Sequence, residues 1–407
     1  MAYDFTTVMD RKGHNLIAAE IIPDKEAQVR EGFSVIPMWV ADMSFPTAPC
    51  VLDAVRERLS FPNFGYFAPR EEYYQAILDW HRERKGVTDL TRECIGYENG
   101  VLGGVSSAIR ALTSPGDPIL LHAPTYVGFT HVLEDTGRRA VHSNLIRDEA
   151  GVWRMDYEDM GRKLEQEQIH LAIICSPHNP TGRVWEKWEI EKALEVYAAH
   201  DCLVLSDEIW SDLIMPGYRH IPTQSVSADA KERVIAFYSP SKTFSLAGMI
   251  TSYHVVYSGW LRDRLRREGE LTHYNSQNVF SMAALIGAYT KGGPWLSELL
   301  SVLEGNIRYA CGFFREHSPE IRVMQPQGTY MLFLDCGEWC RRHGVSIREL
   351  RLRGVEAGVI WQDGESFFWP DSIRMNLALP RTLLEEALER IRRYALGGTA
   401  GKQDSGN

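Results

Sequence analysis

A chain of 407 residues with 44% hydrophobic content can bury a large core, and its length favours two lobes over one. Its formal net charge of −10 argues against nucleic acid or an anionic membrane as the main partner. No apolar stretch approaches the roughly 20 residues that span a bilayer, and the start shows no basic region followed by an apolar core, so we expect a cytoplasmic protein.

The seven cysteines are odd in number and scattered, which is typical of reduced thiols in an intracellular enzyme. Cys336 and Cys340 lie close together in sequence, but no second pair accompanies them. We therefore expect these two thiols to pack in the core, and we predict no metal site.

The first predicted elements surround an irregular apolar stretch. Residues 35–46 are apolar yet broken by prolines, so they are expected to lie against something, either as a packed arm or as part of the active-site lining. An amphipathic helix is predicted over 47–59, ending before Pro62. The turn 63–66 and a helix over about 70–85 follow.

A glycine-rich turn over residues 96–104 opens a predicted helix that runs to Leu112. Small residues at a helix start let backbone amides approach an anion, which the helix dipole favours. The turn is neither a Walker loop nor a dinucleotide fingerprint, so alone it is weak evidence for phosphate. The strand predicted over 118–122 leads to Tyr126, either an aromatic face at the sheet edge or a core residue.

Three short apolar runs each end in a polar cluster and read as buried parallel strands. The runs span residues 171–175, 202–206 and 234–238. They deliver Asn179, Asp207 and Lys242 to the carboxyl edge of one sheet, where ligands bind in open α/β folds. A partly desolvated lysine there can form a Schiff base, although a surface lysine is the alternative. A lysine, an acid and a neutral donor together are what a pyridoxal phosphate enzyme needs.

Strands and helices alternate to about residue 290, which predicts right-handed crossovers and a mostly parallel sheet. The clearest break in the chain is at 291–294. A second α+β lobe is predicted beyond it, with helices to about 317, over 346–357 and over 381–395, and strands around 321–323, 329–334 and 372–377. The polar tail, 397–407, should be disordered.

With these motifs assembled, the chain resembles the fold-type I pyridoxal phosphate enzymes of the aminotransferase class I/II superfamily, and within it the cystathionine β-lyases of the MalY/PatB type. The resemblance covers nearly the whole chain and rests on residues 38–43, 64–66, 178–182, 206–209, 239–244, 328–330 and 374–376. It implies a large domain with a mostly parallel seven-stranded sheet between helices, plus a small α+β domain. The implied division is 1–60 for the N-terminal arm and part of the small domain, 61–290 for the large cofactor domain, 291–396 for the small C-terminal domain, and 397–407 for the tail.

The resemblance implies a role for each strand-end residue. Lys242 would hold pyridoxal 5'-phosphate as a Schiff base and later move the proton at the substrate α-carbon. Asp207 would pair with the pyridinium nitrogen, Asn179 would donate to the ring oxygen, and Tyr126 would stack on the ring.

The cofactor phosphate would lie on the backbone amides of Val101 and Leu102, with Ser239 and Ser241 as candidate hydroxyl donors. Tyr66 would reach the phosphate of the neighbouring subunit, which implies a homodimer with shared active sites.

The resemblance also places the substrate. Arg374 would bind the substrate carboxylate through a planar two-point contact that lysine cannot copy. Asn179, Trp39, Ala41 and Tyr330 would complete the substrate site.

Two features depart from the family pattern. Relatives carry a tyrosine or histidine three residues after Asp207, where this chain has Trp210, whose indole donates a hydrogen bond but cannot take up a proton. Residues 362–370 are bulkier and more aromatic than the glycine-rich stretch expected there. Both fit either drift within an ordinary lyase or a pocket remodelled for a large S-substituted cysteine in specialised metabolism.

The predicted reaction is β-elimination from an S-substituted L-cysteine, cystathionine-like or bulkier, to thiol, pyruvate and ammonia. The alternatives are an aminotransferase, a decarboxylating or oxidatively deaminating enzyme that keeps the thioether, and a non-enzymatic regulatory protein that binds pyridoxal phosphate. The sequence leaves open the S-substituent, the pathway and the fate of the substrate carbanion.

Overall fold

The computed structural model describes residues 2–23, 27–273 and 277–397. The tail predicted to be disordered therefore lies, except for Gly397, outside the described residues. The strands are β1 (Ile36–Pro37), β2 (Ile95–Glu98), β3 (Pro118–Ala123), β4 (Arg139–Asn144), β5 (Ile146–Arg147), β6 (Trp153–Arg154), β7 (Leu171–Cys175), β8 (Leu203–Asp207), β9 (Val234–Tyr238), β10 (Ser252–Val255), β11 (Arg322–Val323), β12 (Met331–Asp335), β13 (Val359–Ile360), β14 (Gln362–Asp363) and β15 (Ser372–Asn376).

The helices alternate with these strands through the middle of the chain. They are α1 (Ile17–Glu20), α2 (Pro49–Leu59), α3 (Glu71–Trp80), α4 (Val101–Leu112), α5 (Val127–Asp135), α6 (Tyr157–Glu167), α7 (Lys187–Ala199), α8 (Ala228–Arg233), α9 (Gly259–Thr272), α10 (Val279–Lys291), α11 (Gly293–His317), α12 (Gly337–His343), α13 (Ile347–Glu356) and α14 (Arg381–Arg390). The helix predicted over 70–85 is α3 followed by a wider π turn, His81–Lys85.

A seven-stranded sheet forms the centre of the molecule, in the order β2-β10-β9-β8-β7-β3-β4. Only β10 runs against its neighbours, so the predicted mostly parallel sheet is confirmed. Every residue of β7 and of β9 is buried, as expected for strands covered on both faces. Burying each of their large aliphatic side chains contributes about 1.5–3 kcal/mol.

The register of the sheet aligns the ends of three strands. Cys175 at the end of β7 pairs with Asp207 at the end of β8, and Asp207 pairs with Phe237 near the end of β9. The loops that carry Asn179 and Lys242 therefore leave the sheet on either side of Asp207, at the same edge.

A smaller antiparallel sheet, in the order β11-β12-β15-β14, lies in the C-terminal part of the chain. The N-terminal strand β1 pairs in parallel with β13, so the segment that follows the arm joins this part of the molecule. The proposed domain boundaries remain a prediction. Within the described ranges, no helix is both long and apolar enough to cross a membrane.

Candidate active site

A cavity of about 220 Å³ lies where β7, β8 and β9 end. Most of the predicted site residues line it, namely Ala41, Val101, Leu102, Tyr126, Asn179, Asp207, Trp210, Ser241 and Lys242. Two further lining residues, Gly100 and Ile209, belong to the motifs 96–104 and 206–209. The others, Ala247, Ile250 and Ser252, lie outside the motifs found in the sequence. A larger groove of about 560 Å³ lies away from these strand ends, against α9 and β10.

Lys242 follows β9 and faces the cavity from a half-buried position. Its Nζ donates a hydrogen bond to the carbonyl of Ala41 at 2.7 Å and lies 6.0 Å from the centre of the Trp210 ring. Burial lowers the pKa of Lys242, an effect that the negative charges of Asp42 and Asp207 oppose. A lowered pKa makes the neutral amine available as a nucleophile and as a base.

Asp207 ends β8 and is only 4% exposed. Its Oδ1 accepts a hydrogen bond from the amide of Ile209 at 3.0 Å, and burial raises its pKa to about 7. In the described part of the chain no Lys, Arg or His side chain forms an ion pair with it. Because a buried carboxylate without an opposite charge is costly, this residue fits a cationic ligand group such as a pyridinium nitrogen.

Arg374, on β15, is a buried cation whose partners are all neutral. Its guanidinium donates to Oδ1 of Asn179 at 3.0 Å, to the carbonyl of Trp39 at 2.9 Å and to Oε1 of Gln362 at 2.8 Å. It lies 4.5 Å from the centre of the Phe367 ring, and its Nε is buried without a hydrogen-bond partner among the described residues. Burial lowers the pKa of Arg374 to about 10. The arrangement fits a ligand carboxylate.

The turn before α4 offers a site for an anion. Gly100 has φ of +87°, a conformation that favours glycine, and the helix begins at Val101 beside the cavity. Backbone amides and the helix dipole attract phosphate at such a position. The Oγ of Ser239 instead accepts from the amide of Ser241 at 3.1 Å and contacts Thr251, so it supports the turn rather than lining the cavity.

Comparison with known proteins identifies the family. The family model described as aminotransferase class I and II matches residues 34–391. The chain belongs to this family. The resemblance inferred from the sequence motifs is therefore confirmed.

Two relatives and one solved structure show which members of the family this chain is similar to. Cystathionine β-lyase PatB of Bacillus subtilis (strain 168) is 32% identical over 386 residues, covering 94% of this chain and 98% of that protein. Protein MalY of Escherichia coli (strain K12) is 27% identical, covering 95% and 97%. Among solved structures, the pyridoxal-phosphate-bound C–S lyase from Staphylococcus hominis is 30% identical with a TM-score of 0.88, covering 98% of this chain and 100% of that one.

One bulky side chain, Trp210, lines the cavity of this aminotransferase class I and II member. Trp210 is 2% exposed and packs edge-on against Tyr330, with ring centres 4.8 Å apart. Burial raises the pKa of Tyr330 and of Tyr126, so both remain phenols near neutral pH. An indole in this position cannot exchange a proton with the ligand.

The aromatic stretch 362–370, which the structure describes in full, packs against Arg374 and does not line the cavity. Phe367 packs against Arg374 and its carbonyl accepts from the amide of Thr125, whereas Phe368 points outward and stacks on His142.

Tyr66 does not line the same cavity as Lys242 of its own chain. It is fully exposed and lines a separate cavity of about 600 Å³ with Phe64, Phe67 and Tyr97.

The sequence motifs assigned no role to Gln362, which contacts Arg374, or to Asn376, which holds the backbone on both sides of Ala41. Gln362 lies directly opposite Arg374 across the β14–β15 pair. Asn376, on the same face of β15, donates to the carbonyls of Val40 and Asp42, both at 2.7 Å. Asn376 could have been noticed in the sequence, because it is a polar residue two positions from Arg374 on the same predicted strand. The contact of Gln362 with Arg374 could not, because it depends on the register between two strands.

Proposed function

We propose that this protein is a pyridoxal-phosphate-dependent C–S β-lyase, which cleaves an S-substituted L-cysteine to a thiol, pyruvate and ammonia. The observation that carries the proposal is a cavity at the strand ends that Lys242 and the buried Asp207 line together with Asn179, which in turn accepts a hydrogen bond from the buried Arg374. The named activities of PatB and of the S. hominis C–S lyase support the reaction type.

The lining fits the cofactor residue by residue. Asp207 would hold the ring nitrogen, the amides of Val101 and Leu102 would hold the phosphate, and Tyr126 would cover the ring face. When bound, pyridoxal phosphate supplies an aldehyde for the amines of Lys242 and of the substrate, and an electron-accepting ring.

The chain's own residues then orient the substrate and move its proton. Arg374 binds the α-carboxylate, which fixes the Cα–H bond relative to Lys242. The neutral Nζ of Lys242 takes the α-proton, holds it, and delivers it to the departing thiolate sulfur. The overall balance is R–S–CH2–CH(NH3⁺)–COO⁻ plus water giving R–SH, CH3–CO–COO⁻ and NH4⁺.

We also propose a homodimer with shared active sites. Tyr66 is fully exposed, and Leu59, Phe61 and Phe64 beside it are each more than half exposed. A contiguous exposed apolar surface of this kind is typical of an interface. In a dimer Tyr66 would reach the phosphate end of the partner's cavity. The cytoplasmic location remains a prediction from the sequence.

The test is to identify the products formed from cystathionine and from bulkier cysteine thioethers, with and without oxygen, by mass spectrometry together with a pyruvate assay. Equal amounts of pyruvate and thiol in both atmospheres are expected. Lys242→Ala should abolish turnover and change the visible absorbance of the bound cofactor, since the covalent attachment is lost. A product that keeps its C–S bond, or normal turnover by Lys242→Ala, would refute the proposal.

A further inference from the structure

An N-terminal arm, residues 2–23, packs against the segment that contains Ala41, the residue whose carbonyl accepts a hydrogen bond from Lys242. Phe5 is 2% exposed and packs between Phe45 and Trp295, with ring centres 5.3 Å from each. Further along, the carbonyl of Ala18 accepts a hydrogen bond from Nε1 of Trp39 at 3.3 Å. The arm is therefore packed against the core at both of these points.

Between these two points the arm delivers a buried cation. The guanidinium of Arg11 lies 2.5 Å from Oδ2 of Asp42 and donates to Oγ of Ser44 at 3.1 Å. The Arg11 side chain is 9% exposed and that of Asp42 is 24% exposed. At this depth an ion pair interacts with neighbouring charges more strongly than a surface pair does.

Asp42 adjoins the backbone group that Lys242 contacts. Nζ of Lys242 donates to the carbonyl of Ala41, the preceding residue, at 2.7 Å. The carbonyl of Asp42 accepts from Nδ2 of Asn376, which fixes the segment to β15. The negative charges of Asp42 and Asp207 raise the pKa of Lys242, and the positive charge of Arg374 lowers it.

We infer that Asp42 is the carboxylate that stabilises the Lys242 ammonium, and that Arg11 sets how much of this negative charge Lys242 experiences. The inference rests on the proposed function and names positioning residues for its proton transfer. Asp207 is reserved for the cofactor nitrogen, so it is not the counter-charge when Lys242 carries the α-proton. Asp42 fills that role, and Arg11 prevents it from holding Lys242 permanently protonated.

Asp42 and Arg11 must therefore have opposite effects on the pKa of Lys242. Asp42→Asn removes a negative charge and favours the neutral amine, so the pKa of Lys242 falls. Arg11→Gln leaves Asp42 unbalanced and favours the ammonium, so the pKa of Lys242 rises. Each shift should be about half a unit to one unit, and the double variant should return close to the wild type.

The measurement is the pH dependence of Lys242 modification by trinitrobenzenesulfonate in the full-length chain freed of cofactor, quantified by peptide mass spectrometry. The midpoint should move to lower pH in Asp42→Asn and to higher pH in Arg11→Gln. Lys12→Gln, beside Arg11 but exposed, is the matched control and should leave the midpoint unchanged. If Asp42→Asn alone fails to fold, Arg11→Gln and the double variant still test the inference.

Shifts in the same direction, or no shift, would overturn the inference, because loosening of the arm would disturb Lys242 alike in both variants. In the holoenzyme the pH profile of kcat should move in the same two directions. Opposite midpoint shifts without pyruvate formation would instead refute the proposed function and leave the charge pair standing.

Discussion

Asp207 and Glu208 are neighbours in sequence and both are buried, yet among the described residues only Glu208 has a partner that can carry the opposite charge. Glu208 lies 2.5 Å from Nε2 of His220 and accepts hydrogen bonds from Ser206 and from the amide of Thr223. Burial opposes its ionisation, but His220 and these donors lower its pKa. Asp207 has one backbone donor, and burial raises its pKa to about 7.

The same contrast separates the cavity from the surrounding framework. Lys85 and Asp212 form a buried ion pair at 2.5 Å, and Arg183 pairs with the buried Glu189. Arg374, in contrast, has only neutral hydrogen-bond partners within the part of the chain that the structure describes. Breaking a buried pair is strongly destabilising, so the paired charges maintain the fold. An unpaired buried charge carries a cost that a ligand of opposite charge removes.

The largest predicted effect comes from neutralising the unpaired acid. Asp207→Asn should lower kcat by about 10²- to 10⁴-fold, because the ring nitrogen loses its counter-charge. Its free energy of unfolding at pH 7 should not fall, since a buried charge is removed. Steady-state kinetics and chemical denaturation of the same preparation measure both, and turnover within tenfold of the wild type would show that Asp207 is not the cofactor's partner.

Glu208→Gln should have the opposite effects, on stability and not on turnover. It should lower the free energy of unfolding by about 2 to 3 kcal/mol, because His220 loses its buried partner. The kcat of the folded fraction should stay close to that of the wild type. Urea denaturation followed by circular dichroism measures the loss. Unchanged stability together with lost activity would reverse the roles assigned to the two neighbouring carboxylates.

The sequence predicted the parts of the site that follow from local patterns, and it did not predict the contacts between distant segments. Asp207 and Lys242 each follow a short apolar strand, so local pattern and the geometry of parallel sheets were enough to bring them together. Gln362 contacts Arg374 only through antiparallel register, and the Arg11–Asp42 pair joins an irregular arm to a proline-broken segment. No local period encodes such contacts, because they depend on how distant segments pack.

A smaller effect is expected at Arg374. Arg374→Lys should raise KM for an S-substituted cysteine by about 10- to 30-fold, since lysine cannot make the planar two-point contact with a carboxylate. The corresponding cysteamine thioether, which lacks the carboxylate, is the matched control when its binding is measured by competition. An equal loss of affinity for both compounds would mean that Arg374 supports the cavity without binding the substrate carboxylate.

The smallest effect is a pH dependence that belongs to Asp207 alone. Its folded pKa, about 7, lies above the value of about 3.9 for an unfolded aspartate. Between about pH 5 and 6 the folded cofactor-free protein therefore binds a proton that the unfolded chain has released. The stability that this proton contributes is complete below about pH 4 and is lost as the pH rises towards 7, by about 1 kcal/mol per pH unit.

Comparison with Asp207→Asn separates this slope from the effects of other titrating groups. Burial lowers the pKa values of His122 and His178, for example, so these two residues make stability rise with pH. Subtracting the variant's unfolding free energies from those of the wild type at each pH should leave a difference that falls between about pH 5 and 6. A cofactor with a positive ring nitrogen would hold Asp207 ionised, so the difference should vanish in the holoenzyme. A slope that persists with cofactor bound would mean that Asp207 remains unpaired there, and the contrast with Glu208 would then be a property of the fold and not of the ligand.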